Sequence, residues 1–388
     1  MDTSTITWPR EDNRVPREIY LDNALYDREM ERVFAGPVWS VVAHDAELPE
    51  AGDFKTTWVG SIPVVVLRGS DGMVRVLVNA CAHRGARVVT ESSGNIGSAG
   101  HLRCVYHAWT YGFDGRLVSA SLEEEFPEGF CKADYGLVQA RVGTYCGLVF
   151  ASLSGDAPTL EQYLGGLCEG LECALGDGRL RLLGSQRVIF ECNWKIYVEN
   201  IYDGYHTVSL HKAFRLLQMK AAGGTIDSPG YERSGHVWNE YLTLPLENHT
   251  VMRDESILET RTKNPPANRI LNVFPASIIS DQVDTLAVRY VIPRGPERTE
   301  VDFTVFARAD DSEEIVAHRV GQGSNLFGPE GFITLEDATA LARVQQSAAA
   351  RGDNVVLKGA AKRFPPYRII DEAAIRHFYA AYRRVMEL

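Results

Sequence analysis

Cys81-Ala82-His83-Arg84-Gly85 and Cys104-Val105-Tyr106-His107 are the stretches of sequence that decide how this chain is interpreted. Each stretch carries one cysteine followed by one histidine, and twenty residues separate His83 from Cys104. Glycines lie near both pairs, at Gly85 in the first stretch and at Gly112 and Gly115 after the second. We therefore expect two backbone loops that hold one metal centre from opposite sides.

Two thiolates and two imidazoles are the ligands of a Rieske [2Fe–2S] cluster, in which cysteines bind one iron and histidines bind the other. Tetrahedral zinc also accepts two cysteines and two histidines, but zinc-finger sequences usually place a cysteine pair before a histidine pair. The mixed pairs favour the cluster, with zinc as the alternative. The predicted cluster ligands are Cys81, His83, Cys104 and His107.

Length and composition limit the class of protein. A chain of 388 residues allows two or three domains, because domains usually span ~100–200 residues. The net charge of −11 argues against a nucleic-acid surface, which needs a basic patch. No apolar run is long enough to span a membrane, and Met1–Arg10 contains no apolar signal-peptide core. Five cysteines remain beside the predicted ligands, and we interpret them as reduced thiols of a cytoplasmic protein.

The order of the predicted elements indicates an α+β protein. Ile62–Arg68 and Val74–Val78 are predicted strands joined by a turn at 69–72. We place a small antiparallel β domain that carries the cluster at 39–152, and a catalytic domain at 1–38 and 153–388. Further predicted strands are Ile270–Ser280, Thr285–Ile292 and Val301–Arg308; predicted helices are Asn23–Phe34, Leu160–Leu175, Glu199–Leu210, Leu335–Arg351 and Asp371–Met386.

A second group of metal ligands is predicted from the segment Asp203-Gly204-Tyr205-His206, followed by His211. His206 and His211 lie five positions apart, which is about 140° around an ideal helix. Both can bind one metal only if the helix ends or distorts near His211. Two histidines also need a carboxylate to complete the facial triad of a mononuclear iron(II) oxygenase.

Asp337 is the best candidate for that carboxylate. It begins a predicted helix and shares a face with the apolar residues Leu341, Val344 and Ala348, where a carboxylate needs a positive partner. Glu336 is predicted to point elsewhere and to be solvated. A plain charge at a helix N-terminus is the alternative for Asp337 alone, and ordinary core or surface histidines are the alternatives for His206 and His211.

The sequence resembles the Rieske non-haem iron oxygenases, in particular the α subunits of aromatic-ring-hydroxylating dioxygenases, over nearly its whole length. The residues that carry the resemblance are Cys-Ala-His-Arg-Gly (81–85), Tyr-His-Ala-Trp (106–109), Asn-Trp-Lys (193–195), Glu-Asn-Ile-Tyr-Asp-Gly-Tyr-His (199–206), His211, Gly-Pro-Glu-Gly-Phe (328–332) and Glu-Asp (336–337). The resemblance implies a catalytic domain with an antiparallel sheet covered by helices, of the helix-grip or START-like type. Two departures are a longer gap between the cluster pairs and Ala82 where proline is common.

The family pattern implies roles for these residues. Cys81, His83, Cys104 and His107 would hold a [2Fe–2S] cluster, and His206, His211 and Asp337 would hold a mononuclear iron(II). Asp203, the predicted catalytic residue, would bridge a cluster histidine of one subunit to an iron-ligating histidine of the next.

The resemblance also implies partners. A ferredoxin and/or a flavin reductase would deliver electrons from NAD(P)H, since this chain has no nicotinamide- or flavin-binding fingerprint. The assembly would be a homotrimer of α subunits, or α₃β₃ with a small β subunit.

The resemblance gives the least information about the substrate. The C-terminal stretch 371–379 is similar to α subunits that act on aryl carboxylates of the salicylate, anthranilate and terephthalate types. Such a substrate needs a cation in an apolar pocket, and Arg289 or Arg308 could supply it, although a surface position is the simpler interpretation of each. The alternatives are a Rieske monooxygenase that removes O- or N-methyl groups and a Rieske electron-transfer protein without oxygenase activity.

Overall fold

The structure is a computed structural model that describes residues 6–97, 100–217, 221–226, 234–243, 253–263, 267–350, 352–361 and 367–388. The chain divides into two compact units. One is Phe34–Leu160, and the other is Glu161–Leu388 together with the N-terminal segment up to Val33. The domain limits expected from the sequence, 39–152 and 1–38 with 153–388, stay a prediction.

The described residues form strands and helices with the following bounds. The strands are β1 (Arg14–Pro16), β2 (Ser40–His44), β3 (Asp53–Val59), β4 (Ile62–Arg68), β5 (Val74–Val78), β6 (Ser93–Asn95), β7 (His101–Arg103), β8 (Thr110–Gly112), β9 (Leu117–Ser119), β10 (Arg141–Tyr145), β11 (Leu148–Ser152), β12 (Leu180–Phe190), β13 (Ala221–Ile226), β14 (Val237–Thr243), β15 (Ala267–Val273), β16 (Ser277–Gln282), β17 (Thr285–Pro293), β18 (Thr299–Arg308), β19 (Asp353–Val355) and β20 (Tyr367–Arg368). The α-helices are α1 (Asn23–Glu29), α2 (Leu160–Leu164), α3 (Leu167–Leu175), α4 (Trp194–Tyr202), α5 (Thr207–Leu210), α6 (Lys212–Leu216), α7 (Glu313–Gln322), α8 (Phe332–Ser347) and α9 (Ala373–Met386).

The unit Phe34–Leu160 is built from three small antiparallel sheets. Their strand orders are β10-β11-β2, β5-β4-β3-β6 and β7-β8-β9. The predicted strands Ile62–Arg68 and Val74–Val78 are confirmed, and Gly72, with a φ of 78°, makes the tight turn between them. Part of the long gap between the two Cys–His pairs is strand β6, which pairs with β3.

The other unit contains an eight-stranded antiparallel sheet in the order β12-β18-β17-β16-β15-β14-β13-β20. The single strand predicted for 270–280 is instead two, β15 and β16, because the chain reverses between Val273 and Ser277. The single helix predicted for 160–175 is likewise two, α2 and α3, because Gly165 adopts a left-handed φ of 52°. Together with the helices, these antiparallel sheets confirm the α+β class.

Helix α9 closes this unit with a continuous buried face. Ile375, Phe378, Tyr382 and Met386, which the sequence places at helical spacing, are all at most 6% exposed. None of the helices formed by the described residues is long and apolar enough to cross a bilayer.

A buried ion pair joins α1 to α4. Lys195 Nζ lies 2.7 Å from Glu29 Oε1, and neither side chain is exposed. Trp194 Nε1 donates to the other carboxylate oxygen at 2.8 Å, and the Tyr382 hydroxyl donates to Oε1 at 2.5 Å. Asn193 is the N-cap residue of α4, and its side chain accepts a hydrogen bond from the Lys195 backbone N–H. The Asn-Trp-Lys motif therefore caps the helix and neutralises a buried carboxylate.

The Lys195→Met variant is expected to destabilise the protein by about 3–5 kcal/mol, because it leaves Glu29 buried without a counter-charge. Urea unfolding followed by circular dichroism measures this loss. The double variant Glu29→Gln with Lys195→Met removes both charges and should recover most of it. A single variant that unfolds at the wild-type urea concentration would contradict this role for the pair.

Candidate functional site

The two Cys–His loops share one backbone geometry. The Cys81 N–H donates to the Ala86 carbonyl, and the Cys81 carbonyl accepts from the Gly85 N–H, both at 2.8 Å. In the second loop, Cys104 bonds in the same way to Trp109 at 2.9 Å and to Ala108 at 3.0 Å. The fourth residue after each cysteine has a positive φ, 70° at Gly85 and 58° at Ala108. The two loops therefore have the same backbone conformation. The residue with the left-handed conformation is a glycine in the first loop and an alanine in the second.

The loops place the thiols inside and the imidazoles outside. Cys81 and Cys104 belong to the buried core of the unit, and burial raises the pKa of the Cys104 thiol. His83 is exposed, and its Nδ1 lies 3.1 Å from His107 Nδ1. The indole of Trp109 stacks on His83, with ring centroids 5.1 Å apart. A pair of sulfurs on the buried side and a pair of nitrogens on the solvent side suit the two differently ligated irons of a Rieske cluster.

Tyr111 supports the first cysteine. Its hydroxyl lies 3.1 Å from Cys81 Sγ and accepts a hydrogen bond from the Ala82 N–H at 3.1 Å. Burial, with the nearby Cys81, raises the pKa of this phenol, so it stays protonated and can donate to the sulfur. Tyr111 was not among the residues predicted from the sequence. Its position in the strand after the second ligand loop is the signal that could have found it.

A break in the helix brings His206 and His211 together. Helix α4 ends at Tyr202. The short helix α5 follows, with His206 directly before it and His211 directly after it. Gly204 lies in this break and permits close packing against another segment, since a Cβ there would clash with the backbone carbonyl of Ile369. The five-residue spacing of the histidines predicted a helix interruption near His211. The structure has one there and a second one before His206.

His206, His211 and Asp337 form a compact triangle of ligand atoms. The two Nε2 atoms are 3.2 Å apart, and Asp337 Oδ1 lies 3.5 Å from His206 Nε2 and 3.4 Å from His211 Nε2. Asp337 Oδ1 is buried and has no hydrogen-bond partner within the described residues. Three such atoms suit one ion with bonds of about 2.1 Å, and a bound cation would satisfy the orphaned oxygen.

Helix α8 supplies the carboxylate from a buried face. Asp337, Leu341 and Ala348 are buried as predicted, but Val344 is 40% exposed and does not share that face. Gln345 is buried instead, where its side-chain oxygen accepts from the Asn193 N–H at 2.8 Å.

Two further carboxylates orient the histidines. Asp203 Oδ2 lies 3.2 Å from His206 Nδ1, and Glu336 Oε2 lies 3.2 Å from His211 Nδ1. The prediction that Glu336 points into solvent was wrong, because its side chain is only 25% exposed and turns toward His211. Each histidine thus presents Nε2 to the centre and Nδ1 to a carboxylate, an arrangement typical of metal-binding histidines.

The site attracts positive charge. Burial alone would lower the pKa of His206, but the carboxylates of Asp203 and Asp337 raise it to about 9. Burial lowers the pKa of His211, and the neighbouring His206 adds to that effect while Asp337 opposes it. Three carboxylates around two imidazoles therefore favour a cation, and a nitrogen–nitrogen–oxygen set with free positions suits iron(II).

Comparisons with known proteins match two parts of the chain to two known domain families. Residues 177–388 match the model of the ring hydroxylating alpha subunit (catalytic domain), and residues 38–128 match the Rieske [2Fe-2S] domain. The chain is 35% identical to the anthranilate 1,2-dioxygenase large subunit of Burkholderia cepacia, over 99% of this chain and 96% of that protein.

Two further similarities cover most of the chain. It is 35% identical to the terephthalate 1,2-dioxygenase terminal oxygenase component subunit alpha 2 of Comamonas sp., over 100% of this chain and 98% of that protein. Its fold is similar to the crystal structure of naphthalene 1,2-dioxygenase from Rhodococcus sp. bound to indole, with a TM-score of 0.82 and 25% identity over 96% of this chain and 94% of that one.

Proposed function

The chain belongs to the Rieske non-haem iron oxygenases, as a ring-hydroxylating alpha subunit, and from that premise we propose that it hydroxylates or cis-dihydroxylates the ring of an aryl carboxylate. The enzyme uses a Rieske [2Fe–2S] cluster and a mononuclear iron. The substrate class rests on the relatives that are named for anthranilate and terephthalate. The observation that carries the proposal is the triangle of His206, His211 and Asp337, with its orphaned carboxylate oxygen.

The ligand assignments are part of this proposal. Cys81 and Cys104 would hold one iron of the cluster and His83 and His107 the other, since the sulfurs pair inside the loops and the Nδ1 atoms pair outside. His206, His211 and Asp337 would hold the mononuclear iron. When bound, the cluster supplies electrons one at a time and the iron(II) supplies open coordination positions for the reaction with O₂.

Asp203 is proposed as the positioning residue between the two kinds of centre. Its Oδ1 accepts from the Tyr205 N–H at 2.7 Å, which aims Oδ2 at His206 Nδ1. The carboxylate remains 19% exposed, so a cluster histidine of a neighbouring subunit could bond to it. His83 and His107 contact each other through their Nδ1 atoms, so the Nε2 atom of each ring takes no part in that contact.

The chain is the oxygenase component of a multicomponent, oligomeric system that receives electrons from ferredoxin or reductase partners. We propose a trimer of this chain, either alone or with a small β subunit, in which the cluster of one subunit serves the iron of the next. None of the seven cysteines forms a disulfide, which supports the proposal of a cytoplasmic location.

Product analysis tests the proposed reaction. The purified holoenzyme, with reductant and ¹⁸O₂, is offered anthranilate, salicylate, terephthalate and benzoate, with biphenyl as the neutral control. Two labelled oxygens in the product indicate dioxygenation, and one indicates monooxygenation. Turnover of biphenyl, or of a methyl ether or methylamine, without turnover of any carboxylate would contradict the proposal.

The Glu336→Gln variant tests the support of His211. We expect the affinity for iron(II) to fall about 10–100-fold, because an outer carboxylate raises the basicity of the histidine that it orients. Iron content after dialysis against a graded chelator measures the effect. Glu330→Gln is the matched control, since Glu330 bonds to Gln186 and not to a histidine. Equal iron retention by both variants would show that Glu336 does not act through His211.

A further inference from the structure

Arg289 is a buried cation without an anionic partner. Its side chain belongs to β17 and is 7% exposed. Its Nε has no hydrogen-bond partner within the described residues, and no ion pair joins it to any carboxylate in that part of the chain. The guanidinium lies 5.0 Å from the ring centroid of Phe303, so one side of it rests on an apolar surface. A surface position was the simpler interpretation of Arg289 in the sequence, and that interpretation was wrong.

The face of the sheet that carries Arg289 also holds a second buried side chain with polar atoms that lack a partner in the described part of the chain, Asn272. Asn272, Ile278, Arg289 and Phe303 stand directly opposite one another on β15 to β18, and residues directly opposite in neighbouring strands share a face. Both amide atoms of Asn272 are buried without a partner among the described residues. Unpaired buried polar groups are costly, and a polar ligand on this face would satisfy them.

Helix α4 connects this part of the sheet to the proposed iron site, because it packs against both β17 and α8, the helix that carries Asp337. Burial raises the pKa of Tyr197 on α4, the positive charge of Arg289 opposes that rise, and Asp337 adds to it. Tyr197, on the helix that contacts both elements, is therefore within electrostatic range of the guanidinium of Arg289 and of the carboxylate of Asp337. The opposite face contacts α3, where Leu271 and Trp238 lie against Gly170.

We propose that Arg289 binds the carboxylate of the aromatic substrate, with the substrate ring lying between the guanidinium and the triad of His206, His211 and Asp337. The proposal rests on the proposed function and deepens it by naming the residue that selects an anionic substrate. A guanidinium presents a planar pair of donors that matches a carboxylate. In a site with little water, loss of that pair leaves a buried carboxylate unpaired.

Binding of benzoate and benzamide separates charge recognition from shape, since the two molecules differ mainly in charge. Wild-type holoenzyme is expected to bind benzoate more tightly by calorimetry. Arg289→Met should weaken benzoate binding by about 30-fold or more while benzamide binding changes little, and Arg289→Lys should lie between. Arg308→Met is the matched control, because Arg308 donates to the Ala174 carbonyl at 2.6 Å on the opposite side of the sheet, and it should keep the wild-type preference.

The possible outcomes distinguish failure of the role of Arg289 from failure of the proposed substrate class. If Arg289→Met keeps the wild-type preference for benzoate, the role of Arg289 is wrong and the proposed substrate class stands. If the wild type itself shows no preference for benzoate, the substrate class is wrong and the role of Arg289 fails with it. A crystal structure of the wild-type holoenzyme with benzoate gives a test that needs no variant. The carboxylate should lie within hydrogen-bond distance of the guanidinium, and a carboxylate bound elsewhere would overturn the proposal.

Discussion

His206→Ala is expected to lose the mononuclear iron and all product formation while it keeps the colour of the cluster. His206 supplies one of three ligand atoms, and the two that remain, from His211 and Asp337, form an incomplete site. Asp337 then holds a buried carboxylate oxygen with one imidazole instead of two beside it. Iron analysis should fall from about three irons per chain to about two, the two of the cluster.

The spectrum of the cluster is the internal control for this variant. His206 belongs to the unit that includes Glu161–Leu388, whereas the cluster loops belong to Phe34–Leu160, so the visible absorption should not change. His101→Ala, which removes an exposed histidine from β7, should retain all the iron and full activity. A His206→Ala protein that keeps about three irons per chain would exclude His206 as a ligand.

Asp203→Asn is expected to keep the cluster, to bind iron when iron(II) is supplied in excess, and to lose turnover by about 100-fold, at the upper end of the range for groups that orient a metal ligand. The amide oxygen can still accept from the Tyr205 N–H, and none of the three proposed iron ligands is changed, so the local fold should survive and iron(II) in excess should still bind. The negative charge that would bridge to a cluster histidine of another subunit is lost. The defect should therefore lie in electron delivery.

Rapid mixing of the reduced enzyme with substrate and O₂ distinguishes this defect from a structural one. In the Asp203→Asn variant, the reduced cluster should reoxidise about 100-fold more slowly than in the wild type, with unchanged affinity for the aromatic substrate. Glu372→Gln is the control, because Glu372 accepts a hydrogen bond from the Lys358 N–H and does not contact a histidine of the triad. Cluster reoxidation and product formation at the wild-type rate would exclude the bridging role.

Much of the fold could be predicted because its signals are local. Two short runs rich in valine, on either side of a turn at 69–72, predicted Ile62–Arg68 and Val74–Val78 with their observed bounds. Helical spacing predicted the buried face of α9. Predictions failed where the backbone breaks a continuous pattern: the left-handed Gly165 divides one predicted helix, and the reversal after Val273 divides one predicted strand. Periodicity reports the class of an element better than its interruptions.

The candidate site divides in the same way. The spacing of Cys81, His83, Cys104 and His107 is visible in the sequence because each pair lies in one loop. The orientation of Glu336 was predicted wrongly. On an ideal helix, the residue next to Asp337 points in a different direction from Asp337, so Glu336 was expected to face solvent. Its longer side chain nevertheless returns to His211 Nδ1. Arg289 was a candidate cation in the sequence, but only the sheet shows that it is buried and that its Nε has no hydrogen-bond partner among the described residues.

The sequence by itself determined the family, the cluster and the identities of the candidate ligands, because those depend on residue types at short, regular spacings. The tertiary structure alone decided that His206 and His211 converge, that Asp337 reaches them from a distant helix, and that Asp203 and Glu336 orient them. The physical reason is that a metal site needs ligand atoms within a few ångströms of one another. That proximity arises from a helix break and from long-range packing, which no local pattern encodes.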